Sequence, residues 1–214
     1  VPTVSIWLIY RRRDSLAVLL LLLAVLASAM TGNWLCSFAL LMSFLTFVAA
    51  LIRPEQTRAT LAALCGLLMI VSPLIPFVLT APISLALGDD HQLTIIFSDW
   101  LRLIADEPFR LLTGHGFDTI SRAITAGLVP LNVPRGILVD TWYELGIIGA
   151  VALGALITAL VMMSSVMTRP CAAAMQASLV AALVTGIFGG NVSQTNWIIS
   201  LILAAFAIAV LHRG

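Results

Sequence analysis

Long uncharged runs alternate with short charged breaks along this chain, and the lengths of those runs set its architecture. Residues 15–52 carry no charge over 38 positions, which as one helix would measure about 57 Å, nearly twice the hydrocarbon thickness of a bilayer. The run must fold back. Thr31-Gly32-Asn33 is its only turn chemistry, which predicts helices over Ser15 to Met30 and Trp34 to Ile52. Arg53-Pro54-Glu55-Gln56-Thr57-Arg58 is expected to close that hairpin. A third complete span is predicted over Leu61 to Thr80, with Pro73 and Pro76 removing backbone donors near its far end and loosening the helix there. Leu145 to Thr168 is again charge-free and closes at Arg169-Pro170. The uncharged run from Pro170 to Leu211 is too long for one span and breaks at Gly189-Gly190-Asn191 into two more helices. Gly146, Ala150 and Gly154 recur every fourth position, giving one helix face on which a neighbour can approach closely.

Composition makes this a membrane protein rather than a soluble one. Hydrophobic residues are 61% of the chain, charged residues 10%, and mean hydropathy is +1.09, far from the soluble balance. A net charge of +1 gives no field suited to nucleic acid, which is not an expected partner. Cys36, Cys65 and Cys171 have no paired spacing, so neither a disulfide framework nor a zinc site is read from them. The apolar run before Arg11 is too short to cross a bilayer, so further sequence is expected to precede Val1. Arg11, Arg12, Arg13, Arg53, Arg58, Arg169 and Arg213 all fall on one side of the predicted alternation, which makes that side cytoplasmic. The fold expected is therefore all-α, a polytopic transmembrane helical bundle with a large extracytoplasmic loop containing short amphipathic helices. Its parts are transmembrane helices in 1–80, the outer loop in 81–143, and three transmembrane helices in 144–214.

The chemistry is concentrated in that loop. Eight of the ten acidic residues, four of the eleven arginines and two of the three histidines lie between Asp89 and Glu144. From Leu93 the pattern turns amphipathic, with Leu93, Phe97, Trp100 and Ile104 on one helical face and Asp99, Arg102, Asp106 and Arg110 on the other. A helix lying on the outer membrane surface fits this pattern, its charges forming exposed pairs, and Pro108 ends it. Gly114-His115-Gly116 follows, a tight turn whose glycines either display His115 or leave it merely solvated. Arg122 and Arg135 are further cations, and Arg135 suits either a phosphate or a lipid headgroup. Glu144 has two readings as well: an acid capping the first turn of its own helix, or an ionisable group facing a bundle interior.

Taken in order, Trp100, the Gly114 to Gly116 turn, Arg135 and Glu144-Leu145-Gly146-Ile147-Ile148-Gly149 resemble the C-terminal half of the O-antigen ligase and polysaccharide polymerase superfamily of bacterial inner-membrane glycosyltransferases. The resemblance spans about Leu93 to Leu211. It implies transfer of a glycan from an undecaprenyl-diphosphate carrier to a lipid or glycan acceptor hydroxyl at the outer face of the inner membrane. Two positions depart from the pattern. Ligases commonly carry His where this chain has Arg135, and many carry Arg one helical turn before the loop tryptophan, where this chain has Ile96. The implied chemistry asks for a base at the acceptor hydroxyl, for which His115 is the first candidate and a buried Glu144 the second. It also asks for cations on the diphosphate, assigned to Arg122 and Arg135. Asp118, Asp140 and Trp142 complete the expected glycan and diphosphate contacts. No metal-ligand cluster is legible, so no cofactor is expected. The alternative reading is a transporter or permease component, since proline-containing and glycine-broken helices build midplane sites. No charge lies in the middle of any predicted span, which leaves that reading without an ion relay.

Overall fold

A computed structural model describes residues 14–30, 34–127 and 136–188. Every regular element among the described residues is helical: α1 (Asp14–Met30), α2 (Trp34–Ile52), α3 (Pro54–Val71), α4 (Ile75–Leu87), α5 (Gln92–Asp106), α6 (Arg110–Thr113), α7 (Thr119–Thr125), α8 (Ile137–Met163) and α9 (Arg169–Phe188). Four stretches are long and apolar enough to cross a membrane: Leu35–Ile52, Pro54–Ala86, Ile137–Val166 and Arg169–Ile187. The expected break at Thr31-Gly32-Asn33, the break at Gly189-Gly190-Asn191, the final span and Arg135 all lie outside the described residues.

The chain divides into two compact units, Val1–Leu64 with Ile157–Gly214, and Cys65–Leu156. In the first, Phe47 and Ala50 of α2 pack on Cys171, Ala173, Ala174 and Ala177 of α9, all fully buried or nearly so. The alanines leave a smooth helix surface that a neighbour can approach closely, the usual substitute for hydrophobic driving force inside lipid. The buried Gln176 Nε2 donates to Ser164 Oγ at 2.8 Å, which in turn donates to the Val161 carbonyl at 2.7 Å.

The second unit carries the charged island, and several boundaries along the chain differ from those expected. The third span starts at Pro54, not after Arg58: proline at the first helical position, with Glu55 in the first turn, begins a helix rather than a loop. Pro73 sits in a tight turn of 3₁₀ helix over Ser72–Leu74, from which α4 continues to Leu87, past the expected loop start. Proline at 73 supplies no N–H to the carbonyl of Met69, so that oxygen takes other donors. The Trp142 indole Nε1 donates to it at 2.7 Å and Ser72 Oγ at 3.2 Å. At Gly154, a Cβ would stand 3.3 Å from Met69 Cβ and 3.6 Å from the Gly66 carbonyl oxygen. Glycine at 154 is what lets α8 and α3 approach closely here. Gly154→Ile is expected to overpack this crossing and destabilise the protein by about 1–3 kcal/mol, read as a lowered thermal unfolding midpoint in detergent.

Candidate functional site

The site grows from a break in α8. This helix begins at Ile137, ahead of the expected start at Leu145, and loses helical geometry at Gly146, whose φ of 61° and ψ of −156° suit glycine alone. The break frees carbonyls that an unbroken helix would have paired with N–H groups one turn later. The Gly114 to Gly116 turn takes them up. His115 N–H donates to the Tyr143 carbonyl and Gly116 N–H to the Glu144 carbonyl, each at 2.9 Å. The approach is backbone to backbone: a Cβ on Gly146 would stand 2.7 Å from Gly114 N and 2.8 Å from the Leu112 carbonyl oxygen, and one on Gly114 would collide with the Glu144 carbonyl. The two glycine motifs, far apart in sequence, are therefore one structure. Gly149 belongs to it as well, because the break folds the Leu145 side chain onto the face where a Cβ of residue 149 would stand.

The docked turn presents His115 to a cleft. The imidazole stacks on the Tyr143 ring, with centroids 4.1 Å apart and planes 10° from parallel. Its Nδ1 lies 2.9 Å from the Tyr143 carbonyl; a carbonyl only accepts, so Nδ1 is the nitrogen that carries a proton. Nε2 lies 3.2 Å from Glu107 Oε2. That pairing requires a second proton on the ring, and without it the Nε2 lone pair is the basic atom facing the cleft. Arg110 Nε also meets Glu107 Oε2, at 3.3 Å. The His115 side chain is 20% exposed, against 57% for Glu107. Pro73, Trp100, Ile104, Val139 and Trp142 line this cleft with these three polar residues. Trp100, Ile104 and Val139 belong to an apolar cluster completed by the fully buried Ile120 of α7, so Trp100 and Ile104, on the apolar face of a helix expected to lie on the membrane surface, are buried against protein.

Glu144 stands elsewhere and does something else. With α8 starting at Ile137, its first-turn acid is Asp140, and the expected role of Glu144 as a cap on its own helix is overturned. Its carboxylate accepts the backbone N–H groups of Asp118 and Ile120, capping the start of α7. Asp118 is left-handed, at φ 57°, and its own side chain makes no cap, so Glu144 supplies from another helix what the local residue does not. Asp118 and Asp140 both lie near enough to act on the Glu144 charge. None of these three carboxylates lines the cleft. Arg122 is also outside it, its guanidinium donating to the Phe117 carbonyl at 2.8 Å and the Asp118 carbonyl at 3.2 Å. Trp142 does line it, buried and tied to Met69.

Glu107 and Arg110 are functional candidates that the sequence reading passed over. Helical spacing alone puts Arg110 on the charged face of α5, yet α5 ends at Asp106 and Arg110 opens α6, turned towards the cleft across Glu107 and Pro108. Pro108 was the available signal, since a face counted in helical steps cannot continue through the residue that ends the helix. The exposed face of α5 does hold an expected pair, Arg102 with Asp106 at 3.9 Å, both largely solvated. Among the described residues no cluster of three or more His, Cys, Asp or Glu is arranged to hold a metal ion. No protein-family model, curated protein or solved structure matches the chain.

Proposed function

We propose that this chain is a membrane glycosyltransferase of surface polysaccharide biosynthesis, a polymerase or ligase working at the outer face of the bacterial inner membrane. Its donor is an undecaprenyl-diphosphate-linked glycan and its acceptor a hydroxyl on a lipid or glycan. The observation that carries this reading is the docking of the Gly114 to Gly116 turn on the break at Gly146, which sets His115 beside Glu107 and Arg110 in an apolar-walled cleft. In the proposed step the acceptor oxygen attacks the anomeric carbon as the bond from that carbon to the diphosphate oxygen breaks. The electron pair leaves with the diphosphate, and the hydroxyl proton passes to His115 Nε2, where Glu107 stabilises the imidazolium formed. Arg110 is the cleft's cation for the leaving diphosphate, with Arg135 as the second that the resemblance implies. Arg122 holds the turn by its two carbonyl contacts.

The transporter reading drew on the proline-containing span, and the carbonyl opened there is closed by Trp142. Profiling of lipid-linked oligosaccharides and surface polysaccharide in a deletion strain tests the proposal: single repeat units accumulate for a polymerase, long lipid-linked chains for a ligase. His115→Ala and Arg135→Ala are each expected to abolish the product while the protein still inserts in the membrane. Wild-type product levels in both variants would sink the assignment.

A further inference from the structure

The segment 109–117 exposes more apolar surface than a turn facing water has reason to. Phe109 is 83% exposed, Phe117 74% and Leu112 55%. Single exposed apolar residues need no explanation, but three large ones within nine residues, interleaved with the cleft residues Arg110, Leu111 and His115, do. Their level along the molecule is fixed by the break in α8. The carbonyls of Leu111 and Leu112 and the N–H of Gly114 lie against Gly146, and the charge-free run of that span begins at Leu145. Ile147 and Ile148, the next residues of the span, are 38% and 73% exposed, so apolar residues are exposed on both sides of the Gly146 contact. A helix this apolar meets lipid on its open side.

We propose that Phe109, Leu112 and Phe117 are seated in the interfacial layer of the bilayer, making the 109–117 segment a lipid-inserted rim that holds the mouth of the cleft at headgroup depth. Aromatic rings favour that depth, and the exposed guanidinium groups of Arg110 and Arg122 are of the chemistry that pairs with lipid phosphates. The consequence is a cleft reached from the leaflet rather than from bulk water. This goes beyond the proposed reaction and holds whether or not the protein transfers glycans.

Spin labels read the depth directly. In a background with Cys36, Cys65 and Cys171 replaced by alanine, Phe109→Cys and Phe117→Cys are labelled with a nitroxide in proteoliposomes, with Arg102→Cys and Ile148→Cys as water-facing and lipid-facing references. At 109 and 117 collisions with oxygen are expected to exceed collisions with a water-soluble nickel chelate, as at 148, with the opposite order at 102. Chelate collisions dominating at 109 and 117 overturn the proposal. So does a label there that neither agent reaches, which would mean a protein partner covers the segment. Benzoyl-phenylalanine at either position, close in shape to the native ring, gives a second reading: light is expected to attach labelled phospholipid at both, and attachment at neither contradicts it.

Discussion

Gly146→Ala is expected to abolish product formation and to lower the thermal unfolding midpoint. An alanine held at φ 61° costs about 1–3 kcal/mol in backbone strain alone. Its Cβ would in addition stand 2.7–2.9 Å from three backbone atoms of the docked segment, Gly114 N and the carbonyl oxygens of Leu112 and Leu111. Backbone cannot swing aside as the end of a side chain can, so the turn must lift. His115 then loses its stack on Tyr143 and its aim at Glu107. Gly114→Ala strikes the same contact from the other side, so the double variant is expected to be little worse than either single one. Gly88→Ala is the control: its φ is 89° and nothing lies within 4 Å of the added carbon, so it carries strain without collision. Loss in Gly88→Ala equal to that in Gly146→Ala, measured as product and as melting midpoint, would show that strain rather than docking decides the outcome.

Trp142→Ala is expected to be the most destabilising of the cleft substitutions, by about 3–5 kcal/mol. The side chain is 7% exposed, and its indole completes the carbonyl that Pro73 leaves open. Trp142→Phe keeps most of the packing and removes the donor, a loss of about 1–3 kcal/mol, with Ser72 Oγ holding it to the lower end. The mechanism makes a sharper prediction. Pro73→Ala restores an N–H one turn after Met69, so adding it to Trp142→Phe is expected to recover stability. Melting midpoints of the two singles and the double decide this, and a strictly additive double would contradict the hydrogen-bond account.

The long apolar helices were legible because their signal is crude and strong: an uncharged run of the right length names itself, and the expected Trp34 to Ile52 helix is the helix found. What failed was the reading of single charges as loop. Asp140 and Glu144 lie within α8, since one acid in its first turn suits the helix dipole and the other is satisfied by N–H groups of α7. The four-residue spacing of Gly146, Ala150 and Gly154 predicts one packing face. Ala150, with no exposure, and Gly154 do pack, but Gly146 breaks the helix, and no periodicity distinguishes a glycine kept for closeness from one kept for a positive φ. The Gly114 to Gly116 turn was visible, though it stacks His115 on Tyr143 rather than displaying it or leaving it solvated. The neighbours of His115 were not visible, because Glu107 and Arg110 reach it through the turn at Pro108 and Tyr143 through a pairing across 28 residues of sequence.

Amide hydrogen exchange on the protein in lipid discs tests most directly whether the Gly114 to Gly116 turn and the α8 break form one site. The His115 and Gly116 amides are expected to exchange slowly, shielded by the Tyr143 and Glu144 carbonyls, and to become fast in Gly146→Ala while peptides of α2 are unchanged. Exchange at His115 and Gly116 in the unmutated protein as fast as at the exposed Asp89 and Asp90 would contradict the docked turn, and with it the placing of His115 in the cleft.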